Sequence, residues 1–327
     1  MKGGDRNLLR DLNVALVSHL LRTYQPISRV ELAGRAQLGR STITEIIGLL
    51  MDEGIVLEVG EAESTGGRKP VLLELAPRSR LVAAVRISPR SVSLGLADLN
   101  GHLIARHRRA LRGGRSADEV LRQVITWVTE MMREYGPDSN RVMGLGLVLP
   151  GRVEPESGLL HSWPMLQWEE EPIGPYLTER LGMPVVVESD ATAFALGEQR
   201  HGGGKADERL LAVTLGAGVG AALIRNGETM RGSTGSMSAL GHMQVEPDGP
   251  LCWCGQRGCL EAMVSDEAFV ARAGAELERG TESLLVELAE GRREALTREM
   301  IVAAAQDGDL LCLRLLSQAG EWIGRAL

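Results

Sequence analysis

Residues 240–261 read LGHMQVEPDGPLCWCGQRGCLE, and this stretch holds one histidine and three of the four cysteines of the chain. His242, Cys252, Cys254 and Cys259 offer one nitrogen and three sulfur donors, which is the complete shell of a tetrahedral zinc ion. The glycines between the cysteines allow a short backbone to turn around the ion. Because such a shell leaves no open position for a substrate, the sequence predicts a structural Zn²⁺ site.

Two other interpretations of the clustered cysteines stay open at this point. They could be unligated thiols packed in a core, or two of them could form a redox pair. The metal site is favoured because a Cys-x-Cys pair with a third cysteine and a histidine nearby satisfies metal geometry better. Cys312 stands alone in the sequence, and we expect it to be a small buried apolar residue.

The composition indicates a globular chain of more than one domain. A length of 327 residues exceeds an ordinary single domain, and 44% hydrophobic with 24% charged residues excludes a disordered protein. No stretch approaches the roughly 18 apolar residues of a membrane span. Asp5, Arg6, Arg10 and Asp11 interrupt the apolar runs of the N-terminus, so neither a signal peptide nor a membrane partner is expected. We therefore expect a cytoplasmic protein.

The first 76 residues have the pattern of three helices followed by a hairpin. Apolar periodicity and turn residues predict helices 6–23, 29–36 and 41–52, and strands 55–59 and 70–75. Ser28 with Glu31 forms the pattern of a capping box at the second helix. Gly39 is expected to supply the tight turn before the third helix. This order predicts a winged helix-turn-helix over residues 1–76.

A winged helix-turn-helix would place the start of its third helix in the major groove of DNA. Hydroxyl side chains and one arginine at that helix start suit phosphate and base-edge contacts, and the cationic wing-tip segment GGRKP could reach backbone phosphates or the minor groove. The predicted DNA-binding residues are Arg40, Ser41, Thr42, Thr44, Arg68 and Lys69. The net charge of −7 gives no global support, so these local contacts must carry the interaction. A small protein-interaction module is the alternative.

From Arg80 onward the chain alternates strands and helices. The patterns predict strands 81–87, 92–97, 142–149, 185–188, 210–215 and 220–224, and helices 117–135, 174–181 and 191–200. Beyond Glu261 the chain is expected to be largely helical. This alternation predicts an α/β body in two lobes with a cleft between them, residues 77–190 and 191–327.

The stretch 240–261 resembles the ROK family (repressors, open reading frames, kinases) nearly position for position, and the resemblance covers almost the whole chain. It implies an actin-like, sugar-kinase-like (ribonuclease H-like) body with its zinc loop beside the cleft. A winged helix before that body is the arrangement of the family's repressor branch, such as its xylose- and N-acetylglucosamine-type regulators. The resemblance therefore implies a homodimeric or tetrameric repressor of sugar or carbon metabolism genes. Its partners would be double-stranded operator DNA and a sugar or sugar-derived effector.

The family's sugar kinases differ from this chain at both phosphate loops. Where they carry a first loop of Asp-x-Gly-Gly-Thr character, residues 85–90 read VRISPR, which contains neither an aspartate nor a glycine pair. The second loop, residues 215–220, keeps its glycines but has Ala217 in place of a threonine. The family also usually continues past the helix that ends this chain, so a C-terminal element facing the nucleotide is expected to be missing.

The sugar contacts implied by the resemblance are only partly kept. Asp190 matches the kinase base and Glu261 is retained, whereas Ser189, Met165 and Ala239 stand where the kinases have asparagine, asparagine and glutamate. Removing three hydrogen-bonding groups loses about 3 kcal/mol of sugar binding. We therefore expect no catalytic residue, a vestigial base at Asp190, and a ligand site formed by Ser189, Asp190 and Glu261. A residual ATP-dependent sugar kinase and a ligand-independent DNA-binding protein remain as alternatives.

Overall fold

The computed structural model describes residues 4–62, 69–135, 141–204, 208–232 and 238–327. Its N-terminal segment contains three helices and a three-stranded sheet in the order β1-β3-β2. These elements are α1 (Gly4–Tyr24), β1 (Ile27–Ser28), α2 (Arg29–Ala36), α3 (Arg40–Asp52), β2 (Val56–Glu61) and β3 (Val71–Leu75). They enclose their own apolar core, in which Leu21, Ile43 and Leu73 are fully buried. The helices and strands predicted for this segment are confirmed, with ends shifted by one or two residues.

The connections around α2 follow local hydrogen bonds. The Ser28 hydroxyl accepts a hydrogen bond from the Glu31 backbone N–H, and the Glu31 carboxylate accepts one from the Ser28 N–H, so the predicted capping box is confirmed. The expectation that Gly39 makes the tight turn before α3 was wrong. The left-handed residue is Gln37, with φ of 51°, whereas Gly39 is extended and precedes the first turn of α3.

A five-stranded sheet forms the centre of the next part of the chain, in the order β11-β7-β4-β5-β6. Its strands are β4 (Leu81–Ser88), β5 (Ser91–Asp98), β6 (Leu103–Ala110), β7 (Val142–Leu149) and β11 (Val185–Ser189). The strands β4, β7 and β11 are parallel, while β4, β5 and β6 form an antiparallel meander. Every second residue of β4 is buried, because one face of the sheet packs against α4 (Ala117–Glu134) in a shared apolar core.

Between β7 and β11 lies a small antiparallel sheet that the sequence analysis did not predict. Its strands are β8 (Arg152–Glu154), β9 (Leu159–Trp163) and β10 (Trp168–Glu171), followed by α5 (Ile173–Leu181). Trp163 and Trp168 pair across it edge to face, with ring centroids 5.1 Å apart. Gly158 has φ of +69° and lies against Gly174, so neither position has room for a side chain. The small sheet extends the apolar core that the five-stranded sheet shares with α4.

The remaining part contains a second sheet followed by helices. α6 (Asp190–His201) packs on the antiparallel strands β12 (Arg209–Leu215) and β13 (Val219–Arg225), and β14 (Glu228–Met230) extends this sheet beside β13. The prediction of a largely helical segment beyond Glu261 is confirmed by α7 (Leu260–Val264), α8 (Asp266–Glu278), α9 (Leu285–Leu288), α10 (Arg298–Gln306) and α11 (Leu310–Ala326). Within the described ranges no helix is both long and apolar enough to span a bilayer.

Candidate metal centre and ligand site

The four predicted metal ligands meet at one point in the structure. The donor atoms of His242, Cys252, Cys254 and Cys259 all lie within 4.8 Å of one another. The Cys252 Sγ is 3.7 Å from the His242 Nδ1, and the Cys254 Sγ is 3.6 Å from the Cys259 Sγ. Ligand atoms about 3.5 to 3.8 Å apart are what Zn–S bonds of about 2.3 Å and Zn–N bonds of about 2.0 Å require in a tetrahedron. The donor set and its spacing therefore fit Zn²⁺.

The backbone of this loop turns tightly enough to bring the cysteines together. The Cys252 N–H donates to the Gln256 carbonyl oxygen at 2.7 Å. This hydrogen bond closes a turn that contains Cys254 and leads to Cys259. Gly258 has φ of +66°, and a Cβ built there would lie 1.4 Å from the Glu246 carbonyl oxygen. No other residue fits that position, so glycine just before Cys259 is a requirement of the loop.

The pKa values of the three thiols are shifted in different directions by their surroundings. Burial raises the pKa of Cys259 to about 12 and raises the pKa of Cys252, whereas the backbone N–H of Gln256 lowers the pKa of Cys254. A divalent cation would stabilise all three thiolates, because coordination deprotonates a thiol outright. Cys312 is fully buried, and burial raises its pKa to about 12. The expectation of a small apolar role for Cys312 is therefore confirmed.

Trp253 and Glu261 connect the metal cluster to the glycine turn between β12 and β13. The Trp253 ring lies edge to face with His242 at 4.6 Å, and its indole N–H donates to the Glu261 Oε1. The other carboxylate oxygen of Glu261 accepts a hydrogen bond from the Val219 backbone N–H at 2.8 Å. Sequence reasoning did not assign a role to Trp253, although this residue stands inside the stretch that predicts the metal site.

Glu261→Gln is expected to lower the free energy of unfolding by about 1 kcal/mol, because an amide presents only one acceptor oxygen to two donors, the Val219 N–H and the indole N–H of the exposed Trp253, so that one hydrogen bond is lost. Urea denaturation followed by circular dichroism measures this loss, and zinc content is expected to stay at that of the wild type. Glu169→Gln, at an exposed position of β10, is the control and should change stability by less than about 0.5 kcal/mol. Equal stability of the two variants would contradict the bridging role.

Ser189 and Asp190 lie where β11 ends and α6 begins. The Ser189 hydroxyl accepts a hydrogen bond from the Thr192 N–H and so caps α6. Burial raises the pKa of the Asp190 carboxyl even though Arg86 of β4 lies 3.9 Å from it. Arg86 is a neighbour that the sequence analysis did not identify. Asp190 is half-buried, and a carboxyl whose pKa is raised at the end of a strand is typical of a group retained for binding.

The glycine turn brings Asp190 and Glu261 to one place. A Cβ built on Gly220 would lie 3.8 Å from the Asp190 Oδ1, and one built on Gly218 would lie 2.7 Å from the Glu261 Oε2. The two carboxylates predicted to bind a ligand therefore border the same turn of the backbone. Both Glu261 oxygens already accept hydrogen bonds from the protein, so Asp190 is the carboxylate with more capacity for a ligand.

Asp190→Asn is expected to raise the melting temperature at pH 7. The folded state holds this carboxyl at a raised pKa, so its ionised form destabilises the folded state relative to the unfolded chain. That penalty develops as the pH rises through the ordinary pKa and is complete above the folded pKa. Scanning calorimetry from pH 7 down to about pH 4, near the ordinary pKa of an aspartate, should show the advantage of the variant shrinking as the pH falls. An advantage that stays constant would exclude the carboxyl charge as its cause.

Four of the six predicted DNA contacts lie in the first turns of α3. Arg40 and Ser41 are exposed, Thr42 is half-buried, and the Thr44 hydroxyl donates to the Arg40 carbonyl oxygen at 2.9 Å. Lys69 is exposed at the start of the return strand. Arg68 lies outside the described residues, as do the side chains of Ser238 and Ala239, so the expectations placed on Arg68 and Ala239 stay predictions.

Comparison with known proteins gives a family assignment. The model of the ROK family matches residues 82–327. The DNA-binding transcriptional dual regulator NagC of Escherichia coli is 29% identical over 99% of this chain and 78% of its own length. The family resemblance predicted from residues 240–261 is therefore confirmed.

Two solved structures have similar folds. A ROK family transcriptional regulator, described as a homologue of the E. coli Mlc protein, matches 97% of this chain and 79% of its own, with a TM-score of 0.83 and 27% identity. A ROK family glucokinase from Streptomyces griseus, in complex with glucose and AMPPNP, matches 75% of this chain and 77% of its own, with a TM-score of 0.67 and 28% identity. The mixed α/β fold is thus found in a regulator and in a sugar kinase.

Proposed function

The chain belongs to the ROK family, and on this premise we propose that it is a DNA-binding repressor of sugar or carbon metabolism genes controlled by a small ligand. Residues 1–76 are the winged helix-turn-helix in this proposal, and residues 77–190 and 191–327 are the two lobes of the ligand-binding body. The zinc loop is a structural element of the second lobe. The assembly that binds the operator is a homodimer or tetramer, since two half-sites need two copies.

The observation that carries this proposal is the exposed first turn of α3. Ile43, Ile46 and Ile47 pack into the core on one side of the helix, so Arg40, Ser41 and the face that carries Thr44 point outward. No side chain caps this helix start, so its free backbone N–H groups and the positive end of its dipole are available to a phosphate. An arginine beside such a helix start suits bidentate contact with guanine.

Selection of bound sequences from a random double-stranded DNA library, followed by footprinting of the full chain, tests the proposal. We expect protection of a palindromic site, with an affinity that falls steeply as the salt concentration rises. The half-sites should lie one helical turn or a multiple of a turn apart. Binding without sequence preference, or no protection at all, would reject the repressor function.

Ligand control is proposed to act through α6. This helix of 12 residues spans about 18 Å, and Asp190 at its start belongs to the ligand site. Near its far end, Arg200 is within electrostatic range of Arg22 on α1, since burial and then the charge of Arg22 lower the pKa of Arg200. A Cβ on Gly101, in the turn between β5 and β6, would lie 2.8 Å from the His201 ring. The preceding residue in that turn, Asn100, accepts a hydrogen bond from the Gln25 side chain.

A ligand that moves the start of α6 would therefore shift the contacts between the other end of this helix and the helix-turn-helix. It changes operator affinity only if it binds the DNA-competent and DNA-free arrangements unequally. Melting temperatures measured with xylose, N-acetylglucosamine and their phosphates identify the ligand, because binding to the native state raises the midpoint. A compound that stabilises the chain should also release it from the operator. Absence of any shift across sugars and sugar phosphates would favour a ligand-independent DNA-binding protein.

The second candidate function is sugar phosphorylation, favoured by Asp190 and by the likeness to a glucokinase structure. Against it, residues 85–90 form the end of β4 and a tight turn into β5, where Ser88 pairs with Ser91, and the segment has no aspartate or glycine pair for a metal and phosphate. An assay that couples ADP release to a panel of hexoses decides between the two functions. We expect no release above background, and any signal must disappear in Asp190→Asn.

A further inference from the structure

The N-terminal half of α1 carries a row of exposed leucines. Leu8, Leu9, Leu12 and Leu16 are 59%, 53%, 57% and 39% exposed, and they fall within nine residues of one helix. In the part of the chain that the structure describes, only the opposite side of α1 is covered, where Val17 and Leu21 are fully buried in the core of the N-terminal segment. A helix with apolar residues on both sides has a second surface to bury.

The row, which we call the leucine stripe, is confined to one face of the helix. Leu8, Leu12 and Leu16 follow one another at intervals of four residues, and residues at this spacing lie one above the other along a helix. Arg10 and Asp11 are exposed as well, but at 100° per residue they point more than about 90° away from the centre of the stripe. The four residues of the stripe are therefore apolar, and the exposed His19 follows them on the same face, seven residues after Leu12.

We infer that the leucine stripe is the contact between two copies of this chain, packed as antiparallel helices with Leu12 on the two-fold axis. This inference rests on the proposed function, which requires two winged helices on one palindromic site. The spacing is self-complementary: around Leu12, the Leu8 of one copy faces the Leu16 of the other, and Leu9 faces the small Ala15. A two-fold interface must present the same patch from both partners, and this stripe satisfies that condition.

The size of the stripe sets how strong this contact can be. Four leucines that are about half exposed can bury much less surface area than a stable interface does, which is about 800 Å² per partner. The contact is therefore weak by itself and strengthens when the N-terminal segments of the proposed homodimer or tetramer bind neighbouring half-sites, because DNA raises their effective concentration. The stripe would make operator binding cooperative while contributing little to the affinity of a single half-site.

Site-directed crosslinking tests the pairing without DNA. Leu12→Cys places two thiols next to each other across the proposed axis, whereas Leu103→Cys, at an equally exposed leucine of β6 (62% exposed), is the matched control. After oxidation with oxidised glutathione at high protein concentration, we expect a covalent dimer of the first variant at least about tenfold more abundant than that of the second. Equal amounts in the two variants and in the wild type would overturn the inference.

A charge variant gives the second measurement. Leu12→Arg should weaken binding to a DNA with two half-sites at least about tenfold and change binding to a single half-site less than twofold, with Leu103→Arg as control. Circular dichroism should show unchanged melting, since Leu12 is exposed. An equal loss on both DNAs, or no loss on either, contradicts a cooperative contact. If the chain binds no DNA at all, the repressor proposal fails, while the crosslinking result still decides whether the stripe pairs.

Discussion

Cys254→Ser is expected to lose its zinc and to destabilise the chain by several kcal/mol. The zinc content measured by metal analysis should fall from about one equivalent per chain to near zero, because a serine hydroxyl is a poor replacement for a thiolate in a Cys₃His shell. Binding of a structural zinc is part of the folding free energy, so loss of the ion weakens the fold directly. The effect should centre on the zinc loop and the glycine turn that it contacts through Trp253 and Glu261.

The exposure of Cys254 makes this substitution diagnostic. Cys254 is exposed, whereas Cys252 and Cys259 are buried, so replacing it removes almost no core packing. An exposed cysteine without a metal would tolerate serine within about 0.5 kcal/mol. A large loss of stability at this position therefore requires that the thiol is a ligand, which a substitution of a buried cysteine would not prove.

Urea denaturation with and without a chelator, combined with metal analysis, measures the effect. The chelator should lower the stability of the wild type to that of Cys254→Ser and should leave the variant unchanged. Cys312→Ala removes the remaining thiol from a buried position among α10 and α11 and is the control, which should keep its zinc and its response to the chelator. A stable Cys254→Ser protein with no metal in the wild type would reject the zinc site.

The His/Cys cluster could be predicted because its four residues lie close together in the sequence. Four residues within 18 positions have donor atoms suited to one ion, and the glycines between them allow few backbone paths. The link from Trp253 through Glu261 to Val219 could not be predicted, because it joins residues 42 positions apart. This link depends on how the zinc loop packs against the turn between β12 and β13, which apolar periodicity does not encode.

The fold was predictable where apolar periodicity was strong and was missed where elements were short. The long strands and helices of the body appear within a few residues of their predicted bounds. The strands β8 to β10 have three to five residues each, which is too few for alternation to stand out. The turn before α3 was assigned to Gly39 on residue type alone. The residue that adopts the left-handed conformation is Gln37, whose N–H donates to the Ala33 carbonyl oxygen at the end of α2.

The ligand site was predictable only in part. Ser189 and Asp190 could be identified because they stand at the end of a strand that opens a helix. Arg86 was not identified, although it lies on the face of β4 opposite the buried residues and so points toward a neighbouring element. Which element that is depends on the parallel pairing of β4, β7 and β11, a non-local property that a single sequence does not show.

Arg40→Ala is expected to weaken operator binding by about 1–3 kcal/mol, or roughly fivefold to 150-fold, and to relax the sequence preference at one base pair. Arg40 is the first residue of α3 and is exposed, so the variant should fold normally, and alanine is a good helix former. Lys69→Ala should behave differently. Loss of a phosphate contact should weaken binding to all DNA sequences equally. It should also reduce the salt dependence of binding by about one counterion.

Binding isotherms of the selected operator and of single-base variants, each measured at several salt concentrations, separate the two contacts. Arg106→Ala is the charge-matched control, because it removes one exposed arginine from β6 and should change affinity less than twofold. If Arg40→Ala and Arg106→Ala weaken binding equally, net charge and not a local contact governs the interaction. If Arg40→Ala keeps the full affinity and the full sequence preference, the start of α3 does not enter the groove, and the N-terminal segment is a protein-interaction module instead.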